Sequence, residues 1–287
     1  MATIKIKQVT KRFGRHVILD NVTTTLEAGK IYGLLGRNGA GKSTLLNLIN
    51  DRNFATSGEI LFDGEPINNN PAARQQMYLM SETNMYPKRT RVKELFKAAD
   101  RGYGDFDFTL AHRLTNEFGI DENSMVDNLS TGLTTIAKLI TALCVKADFI
   151  FLDEPTLGLD ASHREMFYRE LLKTYERRPR TFVLSTHLIS EVQNLIEHVI
   201  ILDNREFKVD QPSEELLAQA FAISGPTAEV DAITKELPIL GSHEIGHIKT
   251  VYVVQPIDAM QLATSSVTVK HLDLQTTFIA LTDGKEL

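Results

Sequence analysis

The sequence predicts an α/β fold, a mostly parallel sheet with helices on both faces and a helical stretch inserted into it. Three observations predict this. Short, largely apolar runs recur at residues 31–35, 149–152 and 181–185, the pattern of strands buried on both faces. Helical periodicity separates them, with Leu45, Leu46, Leu48 and Ile49 on one apolar side and a further helix expected near 162–175. A glycine-rich loop stands directly between the first buried run and the first helix.

The N-terminal residues alternate like a strand, with Ile4 and Ile6 on one face; Val22, Thr24 and Leu26 follow the same rule before a turn at 27–30. Residues 59–62 form another strand, closed by an Asp63-Gly64 turn. From about 82 to 145 the period becomes helical, marked by Val92, Leu95 and Phe96 and then by Ile136, Leu139, Ile140 and Leu143. Beyond Gln211-Pro212 the character changes: a helix over 214–220, a strand at 221–224, a helix near 228–237 and a β-rich run at 248–254. The expected division is 1–220 for the main domain, with its helical part at about 83–145, and 221–287 for a small α+β appendage. That appendage has no ligand constellation; a regulatory role, a dimer contact and simple capping of the sheet edge all stand open for it.

Composition narrows the classes. With 287 residues the chain is long enough for one large domain plus an appendage, and 43% hydrophobic with 24% charged residues is ordinary for a folded protein. A net charge of −6 and a pI near 5.8 give no electrostatic footprint for nucleic acid. The single cysteine, Cys144, excludes an intrachain disulfide and sits in an apolar run that reads as core. The N-terminus lacks the apolar heart of a signal peptide, and no stretch reaches the ~18–20 apolar residues of a membrane span. The chain reads as cytoplasmic, with any membrane role reached through a partner.

The chemistry begins at Gly36-Arg37-Asn38-Gly39-Ala40-Gly41-Lys42-Ser43-Thr44, a match to G-x-x-x-x-G-K-[ST]. Glycines let backbone N–H groups close on phosphate oxygens, and the helix starting near Lys42 points its positive end the same way. Lys42 can reach the β- and γ-phosphates and the Ser43 hydroxyl can ligate Mg²⁺. Roughly 0.01 such matches are expected by chance in a chain this long at average composition. Asp153 and Glu154 end a buried strand, where Asp153 would hold Mg²⁺ and Glu154 would orient or deprotonate a water. His187 follows the next strand, placed to donate toward a γ-phosphate.

In order, GRNGAGKST, NLSTGL, FIFLDEPTLGLD and STH resemble the ATP-binding cassette of ABC transporters, over about residues 2 to 210. The resemblance implies a P-loop NTPase (RecA-like) core with an antiparallel β subdomain and a helical subdomain. It implies an ATPase that binds ATP and Mg²⁺ in a head-to-tail dimer, a homodimer or heterodimer, and drives a separate transmembrane permease while lying at the inner face of the membrane. By the same resemblance Phe13 would stack on adenine, Ser130 and Gly132 would meet the γ-phosphate of the other subunit, Asp160 would join the two sites and His187 would be the switch histidine. Taken alone, Phe13 would be core and Ser130 a helix cap. Arg37, the 103–107 stretch and the 272–282 segment are similar to the bacterial branch that exports drugs and peptide antibiotics.

The chain departs from the family pattern at two places. The signature reads Leu129-Ser130-Thr131-Gly132-Leu133, with Thr131 and Leu133 where glycine and glutamine are usual. The glutamine expected after the strand at 77–80 is absent, and Glu82 is the nearest acceptor for Mg²⁺ or a water; its other reading is a solvated loop carboxylate. Two alternatives follow: a soluble ABC ATPase of translation or DNA maintenance, and a catalytically weak ATP-binding partner in a heterodimer.

Overall fold

A computed structural model describes residues 2–81, 83, 86–258 and 266–283. Alternation at the N-terminus produces a long hairpin, β1 (Thr3–Phe13) and β2 (His16–Glu27). The first continuously apolar run is β3 (Ile31–Leu35), buried at all five positions, and the glycine loop leads from it into α1 (Lys42–Ile49). Next come β4 (Ser57–Phe62), β5 (Glu65–Pro66), α2 (Pro71–Gln75) and β6 (Met77–Met80). The inserted stretch is helical: α3 (Val92–Tyr103), α4 (Phe108–Glu117) and α5 (Thr131–Cys144). The chain then alternates through β7 (Phe149–Asp153), α6 (Ala161–Arg177), β8 (Thr181–Thr186), α7 (Ile189–Val192), β9 (His198–Asp203) and β10 (Glu206–Pro212).

The central sheet has the order β10-β9-β3-β8-β7-β6, parallel throughout except for β10 at its edge. Its two faces feed two cores. From β7, Phe149 and Phe151 join a core with Ile4, Ile6 and Leu46, under the antiparallel sheet of order β2-β1-β4-β5. Ile150 and Leu152 face the other way, into a core with Phe96, Leu139 and Phe167 from the inserted helices and α6. Strand alternation therefore survives inside a fully apolar run, because both faces have partners. Cys144 belongs to the second core, and burial pushes its thiol well above the usual range.

The last part of the chain adds α8 (Ser213–Ala218), β11 (Ala220–Pro226), α9 (Thr227–Thr234), β12 (Gly241–Ile245), β13 (Ile248–Val254), β14 (Thr268–His271) and α10 (Leu274–Asp283). The four strands form an antiparallel sheet of order β12-β13-β11-β14 with its own small core of Phe221, Ile223, Val230, Val251, Val253 and Val267. The appendage expected over 221–287 is not self-contained in its packing. Leu274 and Phe278 of α10 are buried in the large core beside α7, so the final helix returns to the main body. The sequence reading assigned no helix to this segment, and which core it joins depends on residues far away in the chain.

Candidate active site

The carboxyl ends of β3, β7 and β8 lie side by side, with Leu35 paired to Thr186 and Asp153 to Ser185. Everything that follows these strands is therefore delivered to one edge of the sheet. After β3 comes the glycine loop. A Cβ at Gly36 would stand 2.7 Å from the Leu202 carbonyl oxygen, and Gly41 has φ +111° with a Cβ position 3.1 Å from the Ile18 carbonyl oxygen. Larger residues would push the loop off the sheet, so glycine is required at both.

Lys42, at the start of α1, is 6% exposed. Its Nζ donates to the Gly36 carbonyl at 2.7 Å and the Arg37 carbonyl at 3.3 Å, and lies 3.5 Å from Glu154 Oε1. The ammonium is thus held by two carbonyl oxygens of its own loop. Ordered oxygen partners repay the cost of burying the charge.

Asp153, 5% exposed, accepts from Ser185 Oγ at 3.0 Å. Burial pushes its carboxyl up, against the hydrogen bonds it accepts from Ser43 and Ser185 and the nearby charge of Lys42. A buried carboxylate beside the Ser43 hydroxyl is a donor set that suits a hard cation, whose charge would relieve the burial penalty. Among the described residues no group of three His, Cys, Asp or Glu side chains gathers around a metal position. Two protein oxygens fit Mg²⁺, which keeps waters and takes phosphate oxygens for its remaining positions.

Glu154 occupies the left-handed region at φ +47°, which costs a non-glycine residue roughly 1–2 kcal/mol. Its N–H donates to the Ser185 carbonyl at 2.8 Å, tying the strained residue to β8. That turn throws its side chain back toward the loop, where Oε1 faces Lys42 and Oε2 lies 2.9 Å from His187 Nδ1. With the carboxylate as acceptor, the proton sits on Nδ1 and Nε2 is left for a second partner. Lys42, Glu154 and His187 line a cleft of about 550 Å³ together with Asn38, Ser43 and Thr44.

The remaining predicted residues lie elsewhere. Ser130 is the N-cap of α5, its Oγ accepting from the Leu133 N–H at 3.2 Å, and neither it nor Gly132 lines the cleft of its own chain. Gly132 lies instead against the segment after β7, where an added Cβ would meet the Gly158 carbonyl at 3.1 Å. Leu133, in place of the usual amide, packs on the large core. Asp160 caps α6 by accepting from the His163 N–H at 2.9 Å, and this hydrogen bond holds its carboxyl below the usual range. Phe13 is half-exposed at the end of β1 with Lys11 Nζ 4.6 Å from its ring centre, outside the residues lining the cleft. Glu82 lies outside the described residues.

Sequence reasoning missed three residues here. Ile18 and Leu157 line the cleft, and Ser185 orients Asp153. Only the position of Ser185 at the end of an apolar strand signalled its place.

Comparisons with known proteins point to one family. A family model for the ABC transporter matches residues 19–157. The chain is 32% identical over 213 residues to the ABC transporter ATP-binding protein YtrB of Bacillus subtilis, covering 74% of this chain and 73% of that protein. It is 30% identical to the Nod factor export ATP-binding protein I of Cupriavidus metallidurans (74% and 72% covered). It is 28% identical to the petrobactin import ATP-binding protein YclP of Bacillus subtilis (75% and 88% covered). Among solved structures it superposes with TM-score 0.64 on the dimeric ADP- and phosphate-bound cassette MJ0796, at 24% identity over 73% of this chain and 98% of that one, a likeness of fold. The chain belongs to the ATP-binding subunits of ABC transporters. Its enzymatic class is that of an ATPase.

Proposed function

We propose that this chain hydrolyses ATP at the Lys42–Glu154–His187 cluster to drive a separate membrane exporter. The observation that carries the reading is the meeting of the three side chains at one sheet edge: the Glu154 carboxylate lies 2.9 Å from the His187 imidazole and 3.5 Å from the phosphate-reaching ammonium of Lys42. Loop amides and Lys42 bind the phosphates, and Lys42 exchanges its carbonyl partners for phosphate oxygens. Ser43 and Asp153 would hold Mg²⁺, which when bound with the nucleotide neutralises phosphate charge. Glu154, freed from Lys42, accepts a proton from the attacking water. His187 keeps Glu154 oriented by donating from Nδ1.

Ser130 and Gly132 act on the nucleotide of a second subunit, in keeping with their absence from the cleft of their own chain. Asp160 sits where the two sites would meet, and Phe13 is exposed for an adenine ring. The membrane partner docks in the groove of about 220 Å³ lined by Tyr78, Met80, Tyr86, Leu95 and Tyr103, at the junction of the sheet with the inserted helices. Among the described residues no helix is long and apolar enough to cross a membrane, so the exporter reading needs such a partner. Transport outward is favoured by the likeness of the loop and of the C-terminal segment to export subunits.

Glu154→Gln tests the hydrolytic role. Turnover should be lost while ATP still binds and drives a stable dimer; unchanged turnover would remove Glu154 from the reaction. Co-purification with a multi-span membrane protein tests the transport role, and recovery with ribosomes or DNA in moderate salt would overturn it.

A further inference from the structure

Glu154 and His187 follow different strands, and the hydrogen bond between them requires both segments to be held. Glu154 is strained, and two residues beyond it Thr156 is 2% exposed. Thr156 Oγ1 stands 3.3 Å from Glu191 Oε2 and 3.3 Å from the Tyr168 hydroxyl. Glu191 lies on α7, the helical turn that begins two residues after His187, and its other carboxylate oxygen accepts from Arg164 of α6. Tyr168 is also on α6, whose start is capped by Asp160.

Donor chemistry orders these contacts. The Thr156 hydroxyl donates to the Glu191 carboxylate, and its oxygen is then free to accept from Tyr168. Burial, with the charge of Glu154 adding to it, keeps the Tyr168 hydroxyl protonated and therefore a donor. None of the four side chains lines the cleft.

We infer that Glu191, through Thr156, Arg164 and Tyr168, is a positioning residue that locks the turn carrying Glu154 to the helix following His187. The inference rests on the proposed roles of Glu154 and His187. The cluster joins three segments that only the tertiary fold brings together: the exit of β7, helix α6 and helix α7. Loosening it lets the carboxylate and imidazole drift out of the geometry needed to take the water's proton. Nucleotide binding does not depend on it, because the loop and Lys42 lie outside the cluster.

The test measures ATP turnover, KM, and binding of a fluorescent ATP analogue for Thr156→Val, Thr156→Ser, Glu191→Ala and Glu191→Gln, with Glu154→Gln as reference. Thr156→Val and Glu191→Ala should lower kcat about tenfold with KM and analogue affinity within about twofold. Thr156→Ser, which keeps the hydroxyl, should restore kcat; Glu191→Gln, which keeps an acceptor, should fall between. In the Glu154→Gln background Thr156→Val should cause no further loss. Normal kcat in both Thr156→Val and Glu191→Ala overturns the inference. So does a parallel fall in kcat, analogue affinity and melting temperature that Thr156→Ser fails to rescue, which marks the cluster as packing. Normal turnover in Glu154→Gln overturns the hydrolytic reading itself, and the positioning role with it.

Discussion

Lys42 Nζ lies 3.5 Å from Glu154 Oε1, so the ammonium of the glycine loop and the carboxylate after β7 offset each other's charge. Both are largely buried, at 6% and 13% side-chain exposure. On the proposed function, phosphate would compete with Glu154 for Lys42, and that exchange would set the carboxylate free when substrate is present.

Lys42→Ala should weaken ATP binding by roughly 10–100-fold, the equivalent of one charged hydrogen bond of about 1.5–3 kcal/mol. Glu154→Gln should leave affinity intact or raised, since the competitor for Lys42 loses its charge, while turnover falls roughly 10²–10⁴-fold. Titration with a fluorescent ATP analogue, followed by phosphate-release assays, separates the two.

Asp153→Asn should stabilise the nucleotide-free protein. Burial raises this carboxyl, so the folded state favours its protonated form and its contribution to stability is lost as pH rises through the folded value. A neutral amide removes that cost at neutral pH, and melting temperature should rise by roughly 2–4 °C per kcal/mol recovered. The same variant should lose the Mg²⁺ dependence of ATP binding, measured by calorimetry with and without the cation.

Ser130→Ala removes the cap of α5 and should cost about 1 kcal/mol of stability. If Ser130 also meets nucleotide in a second subunit, ATP-driven dimerisation should weaken beyond what the melting temperature explains. Analytical ultracentrifugation of the variant in the Glu154→Gln background reads that difference directly.

Glu170 on α6 is buried and accepts from Arg113 at 2.6 Å and Lys173 at 2.7 Å. Burial alone would push its carboxyl up; these two hydrogen bonds outweigh it and hold the carboxyl below the usual glutamate range. The stabilisation is therefore complete above the ordinary glutamate range and is lost as pH falls through the lower folded value. Glu170→Gln should cost roughly 1–3 kcal/mol at neutral pH and flatten the acid limb of a stability-versus-pH curve obtained by urea melts.

Much of the site was legible in the sequence because its parts are local. Residues 36–43 carry their own spacing, and Asp153-Glu154 ends a strand whose apolar run announces burial. The contacts that complete the site were not legible. Ser185 reaches Asp153 across a strand pairing, Ile18 comes from the β1–β2 hairpin, and the Thr156–Glu191 contact spans 35 residues. The C-terminal helix shows the same limit. The segment at 272–282 stood out only by its likeness to export subunits, and nothing in it announced that Leu274 and Phe278 are buried in the core of the main body.

By itself the sequence determined the strands, the phosphate loop and the ionisable residues at the strand ends, since short-range spacing and apolar runs encode these. Only the tertiary structure decided that β3, β7 and β8 lie adjacent, which is what puts Lys42, Glu154 and His187 within reach of one another. It also decided that Ser130 and Gly132 do not line the cleft of their own chain. The physical reason is common to both. Side-chain chemistry is written residue by residue, but distance between segments is set by which buried faces pair, and that is a property of the whole core.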